Sequence, residues 1–164
     1  MHTTIKFAKV RPTAKIPSKR NEDAGYDIYA DFEDDYMLVP SHTTVMIPTG
    51  VACACDTDYC FIIKERGSTG TKGIAQRCGV IDSGYRGEIL IPITNTTNKC
   101  IFIAKKDSEI HNGMSKGQIY PYEKAIAQLL LIPVPTADVE EYTYEELKVI
   151  PSKRCMGILG SSRK

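Results

Sequence analysis

Residues 79–88 read Gly79-Val80-Ile81-Asp82-Ser83-Gly84-Tyr85-Arg86-Gly87-Glu88. A short apolar run leads into a carboxylate, a Ser-Gly turn and a phenol. An aspartate at the mouth of a strand pair can hold a water as general base, and a tyrosine three residues on can lie flat against a ring. Taken alone, the stretch is better read as a turn aspartate bonded to its own backbone beside an exposed tyrosine. Arg66-Gly67-Ser68-Thr69-Gly70 offers a guanidinium, a hydroxyl and small residues that leave backbone N–H groups open, a combination suited to phosphate. A turning surface loop accounts for it equally well. The C-terminal stretch from Lys153 to Lys164 carries four basic residues among glycines and serines. Such a segment can close over an anion and exclude water, although a solubilising tail is the simpler reading.

These pieces need a frame. The chain has 164 residues, 42% hydrophobic and 25% charged, enough for one domain with a core. Its formal net charge of +1 excludes a general polyanion-binding surface, so any anion must meet a local site. Nine prolines, twelve glycines, no tryptophan and many β-branched residues favour strands and turns. Strands are predicted at TTIKFAKV, with Ile5, Phe7 and Val10 on one face. More are expected in HTTVMIPTGVACAC, DYCFIIKERG, GVID, GEILIPITN, CIFIAKK and AIAQLLLIPV. GSTGTKG is read as a loop, and it lacks the P-loop spacing. Asp31, Glu33, Asp34 and Asp35 read as a solvated acidic turn. KKDSEIHNGMSKGQIYPYEK reads as a long polar connection without a clear period, and VEEYTYEELKVI as either a strand or a short helix. Many short strands without intervening helices indicate an all-β sandwich or barrel.

The six cysteines, at 53, 55, 60, 78, 100 and 155, do not make paired zinc spacing, and small strand residues in the reduced state are expected. The start shows no signal peptide, and the longest apolar run is far short of a membrane span. A protein inside the cell is expected.

Together and in order, the pieces resemble the homotrimeric dUTPase family. Ala24-Gly25-Tyr26-Asp27-Ile28 matches its first motif, AGxDL. Arg66-Gly67-Ser68 stands where the second has Arg-Ser-Gly or Arg-Ser-Ser. Residues 79–88 match the third, GVIDxxYRGE, at every specified position, and Ile126-Ala127-Gln128-Leu129 matches the fourth, IAQL. Arg154, Gly157, Gly160, Ser161 and Ser162 match the spacing of the fifth, RGxGGFGSTG. The match runs from about residue 5 to the end.

The resemblance implies an all-β, distorted barrel or jelly roll that forms a homotrimer with a flexible C-terminal arm. Residues 1–150 would form the barrel, with an insert at about 99–122, and residues 151–164 the lid. It implies hydrolysis of dUTP to dUMP and pyrophosphate with Mg²⁺. Asp82 would hold the attacking water, and a hairpin from Gln76 to Tyr85, including Gly79, Val80 and Ile81, would pair with uracil through its backbone. Tyr85 would pack on the deoxyribose and exclude a 2′-hydroxyl. Arg66, Ser68 and Gln128, with Gly67 among them, would contact the phosphate chain from neighbouring subunits, Asp27 would place Mg²⁺ through water, and Arg154, Leu159, Gly160, Ser161 and Ser162 would belong to the closing arm.

The chain departs from the family at Gly67, in place of a serine, and at Leu159, in place of the phenylalanine that stacks on uracil. Ile158 and Arg163 replace glycines of the same motif. The insert resembles that of some bacteriophage dUTPases, which implies a repressor protein as a further partner, although a tolerated surface loop accounts for it equally well. The expected location is the cytoplasm of a bacterial cell or a phage-infected host, with neither nucleic acid nor membrane as partner. Two alternatives are carried: a derepressing binding protein on the same fold, and, less favoured, a dCTP deaminase. The deaminase family has a central glutamate and an RSSxxR stretch, whereas Asp82, Thr71 and Lys72 stand here.

Overall fold

The computed structural model describes residues 3–112 and 116–152. A first compact unit runs to Val134, and a second begins at Pro135. The all-β expectation is borne out. The first unit holds twelve strands: β1 Lys6–Lys9, β2 Tyr26–Ile28, β3 Tyr36–Val39, β4 Thr44–Pro48, β5 Val51–Ala54, β6 Tyr59–Lys64, β7 Ile74–Gln76, β8 Val80–Ile81, β9 Leu90–Asn95, β10 Ile101–Ala104, β11 Gln118–Pro121 and β12 Ala127–Pro133. They form four small sheets, ordered β1-β5, β11-β10-β3, β2-β12-β6-β8 and β4-β9-β7. Among the described residues no helix is long and apolar enough to cross a membrane.

Alternation makes these strands. In β9, Ile91, Ile93 and Asn95 point inward, while Leu90 points out. Val51 and Cys53 do the same in β5, and Ala127 and Leu129 in β12. β6 lies between two partners and buries Cys60, Phe61 and Ile63. The shared core gathers these with Ile28, Val39, Ile47, Ile101 and Ile103, and Phe7 packs against Phe61 with ring centroids 6.0 Å apart. Asn95, fully buried, donates to the carbonyls of Val39 and Lys99 and accepts from Thr97, which fixes the turn after β9. Burial of that amide is tolerated because its donors and acceptor are satisfied.

HTTVMIPTGVACAC forms the two strands expected of it, and each joins a different sheet. β4 joins β9 and β5 joins β1, because Gly50, at φ +64°, redirects the chain between them. The structure differs from the sequence reading in several places. Gly67–Gly70 is one helical turn, α1, rather than an open loop; the Thr69 hydroxyl closes it by donating to the Arg66 carbonyl. Tyr144–Val149 forms α2, started by a reciprocal cap between Thr143 and Glu146. Asp31 does not belong to a solvated turn: it is 2% exposed and paired with Arg11.

The polar stretch before β12 also has structure. A 3-10 turn spans Glu109–Asn112, and Gln118–Pro121 runs parallel to β10 as β11. Tyr120 is buried, and its hydroxyl donates to the Ala125 carbonyl at 2.6 Å. One strand's worth of apolar side chains, Ile119 and Tyr120, is too short to show a period in sequence. Cys53 and Cys60 are buried, and the five described cysteines are free thiols. Burial raises the Cys53 thiol to about 11, so it behaves as an inert small core residue.

Ile91 is fully buried and faces Ile47 across the β4–β9 pair. Ile91→Ala should cost about 2–5 kcal/mol. Urea denaturation should show this as a lower midpoint at an unchanged slope.

Candidate active site

Two clefts gather residues singled out in the sequence, and Arg66 of the first and Asp82 of the second lie toward different ends of one strand. The first, of about 760 Å³, is lined by Asp27, Arg66, Gly67, Ser68 and Gln128, with the loop 18–25 as its other wall. The pairing of β12 with β2 sets Gln128 opposite Asp27, and its pairing with β6 sets Gln128 opposite Lys64, so three motifs converge. Arg66 Nε bonds Asp27 Oδ1 at 2.9 Å, and Nη2 bonds Oδ2 at 3.2 Å. Its Nη1 donates to the Ala125 carbonyl and to Ser68 Oγ. A planar guanidinium held on three sides is oriented before any anion arrives. Gln128 Nε2 donates to the Glu65 carbonyl at 2.8 Å. At Gly25 a Cβ would stand 2.5 Å from Gln128 Oε1, so a larger residue there would displace that side chain.

At Gly67 the backbone is unstrained and a Cβ would meet nothing within 4 Å. The glycine at this position is therefore not a packing need. Lys19 and Arg20 also line this cleft, a contribution the sequence reading missed because they sit in a polar loop without pattern.

The second cleft, of about 390 Å³, is lined by Gly79, Val80, Ile81, Asp82 and Tyr85, with Met46, Cys78, Leu90 and Pro92 as an apolar wall. β8 lies along β6, with Ile81 opposite Phe61 and Val80 opposite Ile62. The chain then turns, and the Tyr85 N–H donates to the Asp82 carbonyl at 3.0 Å, so carboxylate and phenol flank one tight turn. Gln76 does not line this cleft. Its amide donates to the Ile63 carbonyl and accepts from the Cys78 N–H, bracing the entry to β8. The short strand β7, which carries it, gave no signal in the sequence.

Tyr85 is half exposed, its ring lies over Gly87, and its hydroxyl donates to the Glu88 carbonyl at 2.9 Å. The Glu88 carboxylate in turn accepts from Arg11 Nη1 and Nη2 and from the Thr49 and Gly50 N–H groups. Arg11 also bonds the Asp31 carboxylate and carbonyl. Its hydrogen bonds hold the Glu88 carboxyl below its ordinary value despite partial burial, and the two backbone N–H groups add to this. The same contacts raise Arg11. Nothing in the sequence marks Arg11, which lies in a loop far from the motif it serves.

The register measures how far apart the clefts are. Asp82 follows Ile81 past Phe61, level with Cys60, whereas Arg66 extends beyond the other end of β6. Six residues of extended chain separate the two levels, roughly 20 Å. Residues 153–164, and with them Arg154, Leu159, Gly160, Ser161 and Ser162, lie outside the described residues.

A family model for dUTPase matches residues 12–108. The chain belongs to the dUTPase family. The deoxyuridine 5′-triphosphate nucleotidohydrolase of Candida albicans is 30% identical over 155 residues, covering 93% of this chain and 84% of that protein. A mutant of the dUTPase of Staphylococcus bacteriophage 80alpha, solved with dUpNHpp, superposes with a TM-score of 0.77 at 25% identity and covers 97% of this chain and 98% of that one. A mutant dUTPase from phage phi11 of S. aureus, described for its coordination of a structural Mg(II) ion, shares the fold with a TM-score of 0.67 at 21% identity over 87% of this chain and 99% of that one. The expected family, the jelly-roll fold and the enzyme class, dUTP diphosphatase, are borne out.

The carboxylate of Glu88 should leave a signature in acid. Because its folded value is lowered, its contribution is full above the unfolded value of about 4.3 and is lost as pH falls through the folded one. Thermal unfolding of wild type and Glu88→Gln should therefore show a gap in Tm at neutral pH that narrows below about pH 4. A gap constant down to pH 3 would contradict the linkage.

Proposed function

We propose that this dUTP diphosphatase hydrolyses dUTP to dUMP and pyrophosphate in a site assembled from more than one copy of the chain. The carrying observation is the separation of Asp82 from the Arg66 cleft along β6. A nucleotide whose α-phosphorus lies at Asp82 cannot extend its phosphates into the cleft of the same chain. Arg66, Ser68 and Gln128 of a neighbouring copy supply that contact, which supports the homotrimer the family resemblance implies.

The hairpin's backbone from Gly79 to Ile81 pairs with uracil, and its donor and acceptor order rejects cytosine at the ring edge that differs. Tyr85 covers the sugar face and leaves no room for a 2′-hydroxyl. The Asp82 carboxylate orients a water and takes its proton as the water oxygen bonds the α-phosphorus. The bond from that phosphorus to the bridging oxygen breaks, and pyrophosphate leaves with the electron pair. The Arg66 guanidinium, already oriented by Asp27, Ala125 and Ser68, neutralises charge on the leaving phosphates. Gly67 offers only its backbone N–H where a serine would add a hydroxyl. Arg154, with Leu159, Gly160, Ser161 and Ser162, completes the site in this reading by closing over base and phosphates.

Asp27 fits a magnesium ion held through water. It is a half-buried carboxylate on a cleft that Glu22 and Asp23 also line, Asp23 being paired with Arg20, and among the described residues no three His, Cys, Asp or Glu side chains gather into a cage. That donor set suits a hard cation that keeps most of its waters and takes its remaining ligands from phosphate. Bound there, Mg²⁺ would neutralise phosphate charge. The deaminase and derepressor readings are not favoured by any contact described here.

Pyrophosphate release should be fast for dUTP with Mg²⁺, and slow for dCTP, dTTP and UTP and in excess chelator. Asp82→Asn should keep dUTP affinity and lower turnover by about 10²–10⁴-fold, the usual worth of a general base. Turnover retained in that variant would remove Asp82 from the role.

A further inference from the structure

The Arg11 cluster is joined to the sugar-facing tyrosine by a continuous chain of contacts. The Tyr85 hydroxyl ends on the Glu88 carbonyl at 2.9 Å. Its ring occupies the space over Gly87, where a Cβ would stand 2.6 Å from Tyr85 Cζ. The orientation of the ring therefore depends on where the backbone of Gly87 and Glu88 runs. That backbone is fixed by the Glu88 side chain, whose Oε1 receives Arg11 Nη2 at 2.6 Å, Gly50 N at 2.7 Å and Thr49 N at 3.1 Å, and whose Oε2 receives Arg11 Nη1 at 3.0 Å. Arg11 is itself fixed by Asp31, through Oδ2 at 2.8 Å and the main-chain carbonyl at 2.9 Å. Asp31 is almost wholly buried, so the far end of the strut is immobile.

We infer that Arg11 is a positioning residue for nucleotide selection: through Glu88 it holds Tyr85 over the sugar, and so sets discrimination against ribonucleotides. The inference rests on the proposed role of Tyr85 and names what keeps that ring in place. A steric filter works only while the filtering group cannot swing aside. Tyr85 is half exposed, and its own packing against Gly87 leaves it free to rotate once Glu88 shifts. Two parallel bonds from a planar guanidinium define the carboxylate in both distance and angle, which a lysine ammonium cannot do.

The test compares kcat/KM for dUTP and UTP in wild type, Arg11→Lys, Tyr85→Phe and the double variant. Wild type should prefer dUTP strongly; if it does not, the Tyr85 filter itself fails and the proposed function must be revised. Given that preference, Arg11→Lys should lower the dUTP/UTP ratio by about tenfold, the order of a lost charge-assisted hydrogen bond, mainly through faster use of UTP. Tyr85→Phe, which keeps the ring and removes the tether, should lower the ratio similarly, and adding Arg11→Lys to it should lower it little further. A purely structural Arg11 would lower Tm and both activities together at a constant ratio. That result, or full additivity of the two substitutions, would overturn the inference. If Arg11→Lys does not fold, Glu88→Gln replaces it in the same cycle, since it weakens the same strut while keeping the backbone acceptors of Tyr85.

Discussion

The backbone ladder that sets β6 between β12 and β8 is the constraint on which the rest depends. β12 brings Gln128 and, through β2, Asp27 to the Lys64 end of that strand, where Arg66 follows. β8, on the other side of β6 and also antiparallel to it, delivers Asp82 to the Cys60 end. Each ladder is an ordinary antiparallel pairing with an apolar inner face, so its register is fixed by burial of Phe61, Ile63, Ile81 and Leu129. Slipping one pairing by a residue would turn those side chains out and shift Asp82 or Gln128 at the same time. Fold stability and site geometry are thus set by the same contacts.

At each end a charged residue is held by several partners rather than by one. Arg66 is fixed by a carboxylate, a carbonyl and a hydroxyl, and Arg11 by two carboxylates and a carbonyl. Partly buried guanidiniums with this many acceptors keep their charge and lose little further entropy when a ligand binds. Arg66 lines its cleft directly. Arg11 holds the carboxylate of Glu88, the tenth residue of the GVIDSGYRGE stretch, together with the Thr49 and Gly50 N–H groups.

Much of this was legible in the sequence. The turn between Asp82 and Tyr85 was readable locally from its Ser-Gly punctuation, but the two side chains stood out only as members of the third motif. Arg66, Asp27 and Gln128 were readable as members of ordered motifs. What was not legible depends on long-range register. Arg11 and Asp31 are brought to Glu88 only by the folded chain, and a buried aspartate among acidic neighbours looks like a solvated turn until its partner is known. β7 and β11 are too short to show a period, and Gln76, read as a substrate contact, is committed to the backbone of Ile63 and Cys78. The helical turn at Gly67 was hidden by two glycines and depends on the Thr69 hydroxyl that closes it.

The central claim, that Asp82 and Arg66 of one chain serve different sites, is tested most directly by mixing two inactive proteins. Asp82→Asn and Arg66→Met are denatured together, refolded together and assayed for pyrophosphate release from dUTP, beside each variant refolded alone. Recovery of a substantial share of wild-type activity in the mixture, and in neither variant alone, is the result the account predicts. No recovery, with mixed oligomers shown to form, would place both residues in one chain's site and contradict it.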